Sequence, residues 1–192
     1  KIAFQYGADA VYFGGEAFSL RAAAQNFTFE EIKEGAELAH RLGKKIYCTV
    51  NVMPRNEGIE KLPEFLKSLE EAKVDAVLVS DLGVFRTVQK HTNLPIHIST
   101  QANTVNYEGC NMWHDLGAER VVLARECSLK EIKEIRQHIP EELELEVFVH
   151  GAMCMSYSGR CLLSSYMTGR DSNRGACAQS CRWKYSLVEE KR

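Results

Sequence analysis

Four of the chain's seven cysteines, Cys154, Cys161, Cys177 and Cys181, fall within one short stretch. Their spacing is Cys-x6-Cys, then fifteen residues, then Cys-x3-Cys. Four thiolates this close in sequence can close around one metal centre. Zinc sites usually use tight Cys-x2-Cys knuckles, and neither pair has that spacing. Iron–sulfur clusters accept wider, less regular spacing, so a [4Fe–4S]-type cluster is the leading reading and zinc the alternative. Gly, Ser, Asn and Arg fill the intervals, a composition that suits a site better than a core element. His150 ends the apolar run that precedes Cys154. An imidazole there can orient a ligand, move a proton or contact the metal centre; a satisfied histidine at a strand end is the plainer alternative. Cys48, Cys110 and Cys127 lie in or beside apolar runs and read as buried free thiols.

Charge separates this stretch from the rest. The net charge is −2, yet residues 154–184 carry five Lys/Arg against one acid. A basic segment on an acidic body fits an anionic ligand, either a small carboxylate or phosphate or a nucleic-acid backbone. Pairing of these arginines with scaffold acids is the competing reading. The composition, 45% hydrophobic and 26% charged, is that of a soluble globular protein. No run reaches the length of a membrane-spanning helix and no signal peptide opens the chain, so no membrane partner and a cytoplasmic location are expected. An odd cysteine count argues against a disulfide framework. The chain opens at Lys1 on what reads as a helix tail, which predicts a piece of a longer protein.

What must position the site is an alternation of short apolar runs and amphipathic stretches. Strands are predicted at Ala10–Phe13, Lys45–Val50, Ala76–Val79, Ile96–Ser99, Arg120–Leu123 and Leu145–Val149. Their near-continuous apolar character suits parallel strands covered on both faces. Capping boxes at Thr28/Glu31 and Ser128/Glu131 open two helices. Others are predicted at about Leu62–Ala72, with Pro63 in its first turn, at Leu82–His91 and at Tyr107–Leu116. No phosphate-binding glycine fingerprint follows the first strand. The prediction is an α/β fold, a (β/α)8 TIM-barrel-like architecture that is incomplete, with about six βα units over residues 1–150. Residues 151–192 form a Cys-rich basic segment that completes the active face. Unclosed strand edges would favour an oligomer. At the C-terminal ends of barrel strands, where active sites sit, fall Glu16, Asn51, Asp81, Gln101, Asn103, Arg125, Glu126 and His150. Asp81 reads equally as a helix cap.

Hydrolase motifs are absent: there is no Gly-x-Ser-x-Gly elbow and no His-Glu-x-x-His. A Cys154–His150 pair could serve a thiol peptidase, but it would leave three cysteines without a role.

The run Glu146-x-Phe148-x2-Gly151-Ala152-Met153-Cys154-x4-Gly159-x-Cys161-x-Leu163-Ser164 resembles the signature of peptidase family U32, the collagenase-like proteases. Phe18–Ala22, Ser99–Asn103, Ala124–Glu126 and Asn173–Arg182 resemble the same family. The resemblance implies one of two activities. Some members are described as proteases. Others support oxygen-independent hydroxylation of tRNA uridine, of rRNA cytidine or of a ubiquinone precursor. In the latter, four cysteines hold an iron–sulfur cluster, matched in this sequence by Cys154, Cys161, Cys177 and Cys181, and prephenate is implicated for RNA.

Three functions follow as expectations. The first is iron–sulfur-dependent hydroxylation of RNA or a related small anionic, prephenate-like substrate. It takes Arg125, Arg174 and Arg182 as anion contacts, Gln101 and Asn103 as further substrate contacts, and His150 and Glu126 as catalytic, proton-handling or orienting groups. The second is a collagenase-like peptidase acting on a peptide. The third is a non-catalytic zinc-binding module that docks on RNA or a partner.

Overall fold

The computed structural model describes residues 1–15, 17–20 and 26–189. Glu16, and the Arg21 and Ala22 of the Phe18–Ala22 segment, lie outside the described residues. Six parallel strands, β1 (Ala10–Gly14), β2 (Lys45–Val50), β3 (Ala76–Val79), β4 (Ile96–Ile98), β5 (Arg120–Val122) and β6 (Glu144–Glu146), form one sheet in strict sequence order. Helices fill the crossovers: α1 (Ile2–Gln5) precedes β1, and α2 (Phe29–Arg41), α3 (Asn56–Glu71), α4 (Leu82–His91), α5 (Tyr107–Asp115) and α6 (Leu129–Gln137) follow in turn. A doubly wound sheet reverses its strand order at a switch point; this one never does. β1 and β6 remain edges, so the fold is an open part of a (β/α) barrel.

The sheet is curled. The rings of Tyr47 on β2 and His97 on β4 meet edge-on at 4.8 Å although β3 lies between their strands. The Arg120 guanidinium of β5 reaches over the same Tyr47 ring at 5.2 Å from its centroid. Flat strands about 4.8 Å apart would hold these groups farther away.

Alternation along each strand explains the continuous apolar runs. One set, including Ile46, Cys48, Val50, Val77, Val79, Ile98 and Val121, faces the helices. Tyr47, Ala76, Leu78 and Val122, with Ala10 and Tyr12, form a second cluster on the concave side. α3 contributes Leu62, Leu66 and Leu69 to the outer core, all fully buried. Each is worth about 1.5–3 kcal/mol of apolar transfer. Both capping boxes form: Thr28 accepts from Glu31 N and Ser128 from Glu131 N, each glutamate returning the bond. Gly43 and Gly117 close α2 and α5 with φ of +67° and +98°.

Two expectations need correction. α3 starts at Asn56, so Pro63 lies inside the helix rather than in its first turn. Proline there loses its own N–H bond and its ring crowds the Ile59 carbonyl one turn back; burial of Leu62, Leu66 and Leu69 on one stripe holds the helix across it. β6 spans Glu144–Glu146 instead of Leu145–Val149. β5 offers only three residues, and the register Arg120↔Glu144, Val121↔Leu145, Val122↔Glu146 uses all of them. Beyond it the chain leaves the sheet and Val149 is 91% exposed.

Among the described residues no helix is long and apolar enough to cross a membrane.

Candidate functional site

The C-terminal strand ends surround a pocket of about 260 Å³. Thr49 and Asn51 reach it from β2 and the turn after it, Ser99 and Gln101 from the end of β4, and Arg125 from the end of β5. Phe148 and Ala152 close it from the segment after β6. The lining is cross-linked: the Ser19 and Thr49 hydroxyls lie 3.0 Å apart, and Thr49 Oγ1 donates to the Phe13 carbonyl. Gln101 Oε1 accepts from Asn51 Nδ2 at 3.3 Å and from the Ser99 hydroxyl. Asn51 Oδ1 accepts from Leu20 N. Each side chain is held by another, as a pre-organised binding wall requires. Arg125 brings the positive charge, its guanidinium 5.7 Å from the centre of the Phe148 ring.

The Cys-rich segment is docked onto this mouth mainly through backbone atoms. Arg160 Nε donates to the Gln101 carbonyl at 2.7 Å. Met53 N donates to the Asn173 carbonyl, tying the segment to the turn after β2. Within it, Asn173 brackets Cys161: its Oδ1 accepts from Cys161 N and its Nδ2 donates to Cys161 O. Ser164, three residues after Cys161, accepts from Ala178 N beside Cys177. Arg182, beside Cys181, donates to the carbonyl of Met153, beside Cys154. These bonds draw the flanks of Cys154 toward Cys181 and those of Cys161 toward Cys177. A short helix, α7 (Leu163–Thr168), packs against the turn Ser180–Arg182.

Three of the four sulfurs accept a backbone N–H from two residues ahead. Ser156 N reaches Cys154 Sγ at 3.4 Å, Leu163 N reaches Cys161 Sγ at 3.3 Å and Gln179 N reaches Cys177 Sγ at 3.3 Å. Hydrogen bonds to sulfur are one of the levers that tune sulfur-held clusters. The Ser156 hydroxyl, with the N–H groups of Ser164 and Leu163, holds the Cys161 thiol below its usual pKa. The Ser180 hydroxyl, next to Cys181, is buried without a partner, which leaves a donor beside the thiols. Among the described residues, no three His, Cys, Asp or Glu side chains stand close enough to hold a metal ion. Donor type, sulfur hydrogen bonds and the orphan hydroxyl therefore fit a thiolate-bound group, and the sulfurs would have to draw closer to hold it. The other thiols behave as core: burial pushes Cys48 and Cys110 up to about 12 and raises Cys127.

The remaining expected residues divide. Gln101 and Arg125 line the pocket. Glu126 bonds Ser158, its Oε1 accepting from the backbone N–H at 2.7 Å and its Oε2 from the hydroxyl at 2.6 Å. Burial works against the Glu126 carboxylate, but these bonds outweigh it and keep its pKa below the usual value. Asp81 caps α4, accepting from Val84 N at 3.0 Å. Asn103 sits at φ +60° with its Oδ1 buried and unpartnered. Arg174 is exposed, and Arg182 is occupied by the Met153 carbonyl. His150 is exposed and lies beyond β6. Its ring makes no hydrogen bond with Cys154 among the described residues; that sulfur takes Ser156 N instead. A thiol–imidazole pair of the peptidase type is thus not formed. Sequence reasoning gave no role to Thr49, Ser158 or Arg160; Ser19, Ser99, Phe148 and Asn173 fell within the family-like segments without an assigned role.

A family model described as peptidase family U32 matches residues 1–192. The chain belongs to this family. It is 48% identical over 190 residues to a protein of Bacillus subtilis (strain 168) named tRNA hydroxylation protein P1, covering 98% of this chain and 44% of the relative. A 23S rRNA 5-hydroxycytidine synthase of Escherichia coli (strain K12) is 37% identical over 188 residues, with 98% and 28% covered. A protein of Porphyromonas gingivalis named collagenase is 34% identical over 198 residues, with 98% and 47% covered. The chain thus spans less than half the length of each of these relatives. Among solved structures, the U32 peptidase Mk0906 superposes with a TM-score of 0.59 at 17% identity, covering 72% of this chain and 60% of that one. That likeness supports the barrel-type fold.

Proposed function

We propose that this chain is the barrel part of an RNA-base hydroxylation protein, with Cys154, Cys161, Cys177 and Cys181 as the ligands of an iron–sulfur cluster. The observation that carries the reading is the whole-chain similarity, at 48% identity, to a tRNA hydroxylation protein. The sulfur-directed N–H groups support the ligand assignment. A cluster held there would supply one-electron transfer beside the barrel mouth.

The chain's own residues do the rest. At about 260 Å³ the pocket is too small for a folded RNA and suits one flipped base or one small carboxylate. Arg125, its guanidinium held over the Phe148 ring, offers its charge to an anionic group entering the pocket. Asn51, Ser99 and Gln101 present donors and acceptors already fixed by their mutual bonds, so a ligand need not order them. The basic 154–184 segment attracts the RNA backbone, with the exposed Arg170 and Arg174 as phosphate contacts. Packing of that segment over the mouth shields the reacting base from bulk water.

The test uses the full-length protein purified without air, as wild type and as Cys154→Ala. Expected are iron, sulfide and a brown absorption in the wild type, with bleaching in the variant. In a host deleted for its own tRNA hydroxylation protein, mass spectrometry of digested RNA is expected to regain a hydroxylated nucleoside with the wild type only. A colourless, iron-free wild type after reconstitution refutes the cluster. No gain of hydroxylated nucleoside refutes the substrate.

A further inference from the structure

We propose that Glu126 is a positioning residue, a clasp that holds the Cys154–Cys161 loop on the barrel mouth through Ser158, and not a carrier of protons. Ser158 is the one buried residue of the Cys154–Cys161 loop, between half-buried Ser156 and Gly159, while Met155 at 76% and Tyr157 at 52% face solvent. It is held at φ 42° and ψ 30°, a left-handed conformation that a serine adopts only when its surroundings impose it. The imposing group comes from 32 positions away: both oxygens of one carboxylate accept both donors of one residue. Glu126 itself is an exposed residue, but Ser158 is not. Water therefore cannot take over the Ser158 N–H and hydroxyl unless the loop lifts.

Two neighbours complete the dock. Gly159 takes φ +88°, and a Cβ there would stand 3.5 Å from the Arg125 guanidinium, so the loop lies close against the pocket wall. Arg160 then reaches the Gln101 carbonyl. Cys154 and Cys161 flank this three-residue contact on either side. The clasp thus fixes where those two thiols sit relative to the pocket that Gln101 and Arg125 line. A proton carrier works with a pKa near the working pH. Both Glu126 oxygens accept from Ser158, and these bonds, working against burial, hold the carboxylate below its usual pKa.

Loop docking is read by trypsin cleavage after Arg160 in the metal-free, full-length protein. Glu126→Ala and Ser158→Ala are expected to speed that cleavage, Glu126→Ala by about tenfold, the worth of two charge-assisted bonds after allowance for solvent. Cleavage after Arg41 serves as the control for global unfolding and is expected to stay unchanged. Glu126→Gln still offers an oxygen to Ser158 N, so it is expected to restore most of the protection. The same order, with Gln above Ala, is expected for iron loading. Equal cleavage in wild type and Glu126→Ala overturns the proposal. So does loss of hydroxylation in Glu126→Gln to the level of Glu126→Ala with the loop still protected, which is the signature of a proton carrier. The inference rests on the proposed function for the iron and hydroxylation readouts, and not for the cleavage readout. An iron-free wild type would refute the cluster and leave the cleavage result standing.

Discussion

Mild acid is expected to loosen this half-barrel from its concave wall, and His97 is the group through which it acts. The imidazole is 5% exposed, its Nδ1 has no partner, and it packs against the Tyr47 ring. Burial, and then the positive Arg120, push its pKa from 6.5 down to about 4; Glu144 works the other way with less effect. The sign follows from which state binds the proton first. An unfolded chain protonates His97 near pH 6.5, while the folded chain refuses the proton until about pH 4. Stability attached to His97 is therefore complete above pH 7 and falls as pH drops through that window. The whole shift corresponds to about 3 kcal/mol, of which about 1.3 kcal/mol is lost between pH 7.5 and 5.5. The carboxylates with lowered pKa, Asp75 and Glu126 among them, lose their share only near and below pH 5, so the upper window belongs to histidines. His97→Phe keeps a ring against Tyr47 and removes the titration. Urea unfolding of both proteins across that range is expected to show the wild type losing about 1.3 kcal/mol more than the variant. Parallel losses, or a His97 proton resonance that titrates near pH 6.5 in the folded protein, would refute the reasoning.

Two further outcomes are expected. In metal-free protein, alkylation followed by peptide mass spectrometry is expected to label the exposed Cys154, Cys177 and Cys181 within minutes and to leave Cys48 and Cys110 unmodified until the protein unfolds. Leu66→Ala, at a side chain with no exposed surface in the centre of the α3 stripe, is expected to cost about 2–5 kcal/mol in chemical denaturation without changing the order of thiol labelling.

The frame of the fold could be read from the chain because its signals are local. Capping residues lie three positions from the groups they satisfy, as at Thr28/Glu31 and Ser128/Glu131. Apolar runs mark strands because helices cover one face and a concave cluster occupies the other. Where an element's extent depends on a distant partner, local signals fail. The apolar run Val147–Val149 looks like strand, but β5 has no residues left to pair with it. Pro63 looks like a helix start, but burial of a leucine stripe on both sides of it decides otherwise.

The site shows the same division more sharply. Cysteine identity and spacing announce a four-thiol segment without help from the fold. What places that segment is almost wholly invisible in composition, because the acceptors are carbonyls: Gln101 O for Arg160, Met153 O for Arg182, Cys161 O for Ser172 and Asn173. Any residue presents a carbonyl, so no residue type betrays these contacts. The side-chain contacts that do exist span long separations, 32 positions for Glu126 and Ser158. Glu126 at a barrel strand's C-terminal end therefore reads naturally as an acid–base group, since nothing nearby in sequence claims its oxygens. Only the fold shows that a loop serine already has. A polar residue at such a mouth has to be counted against the partners that the following loops bring before it is counted as chemistry.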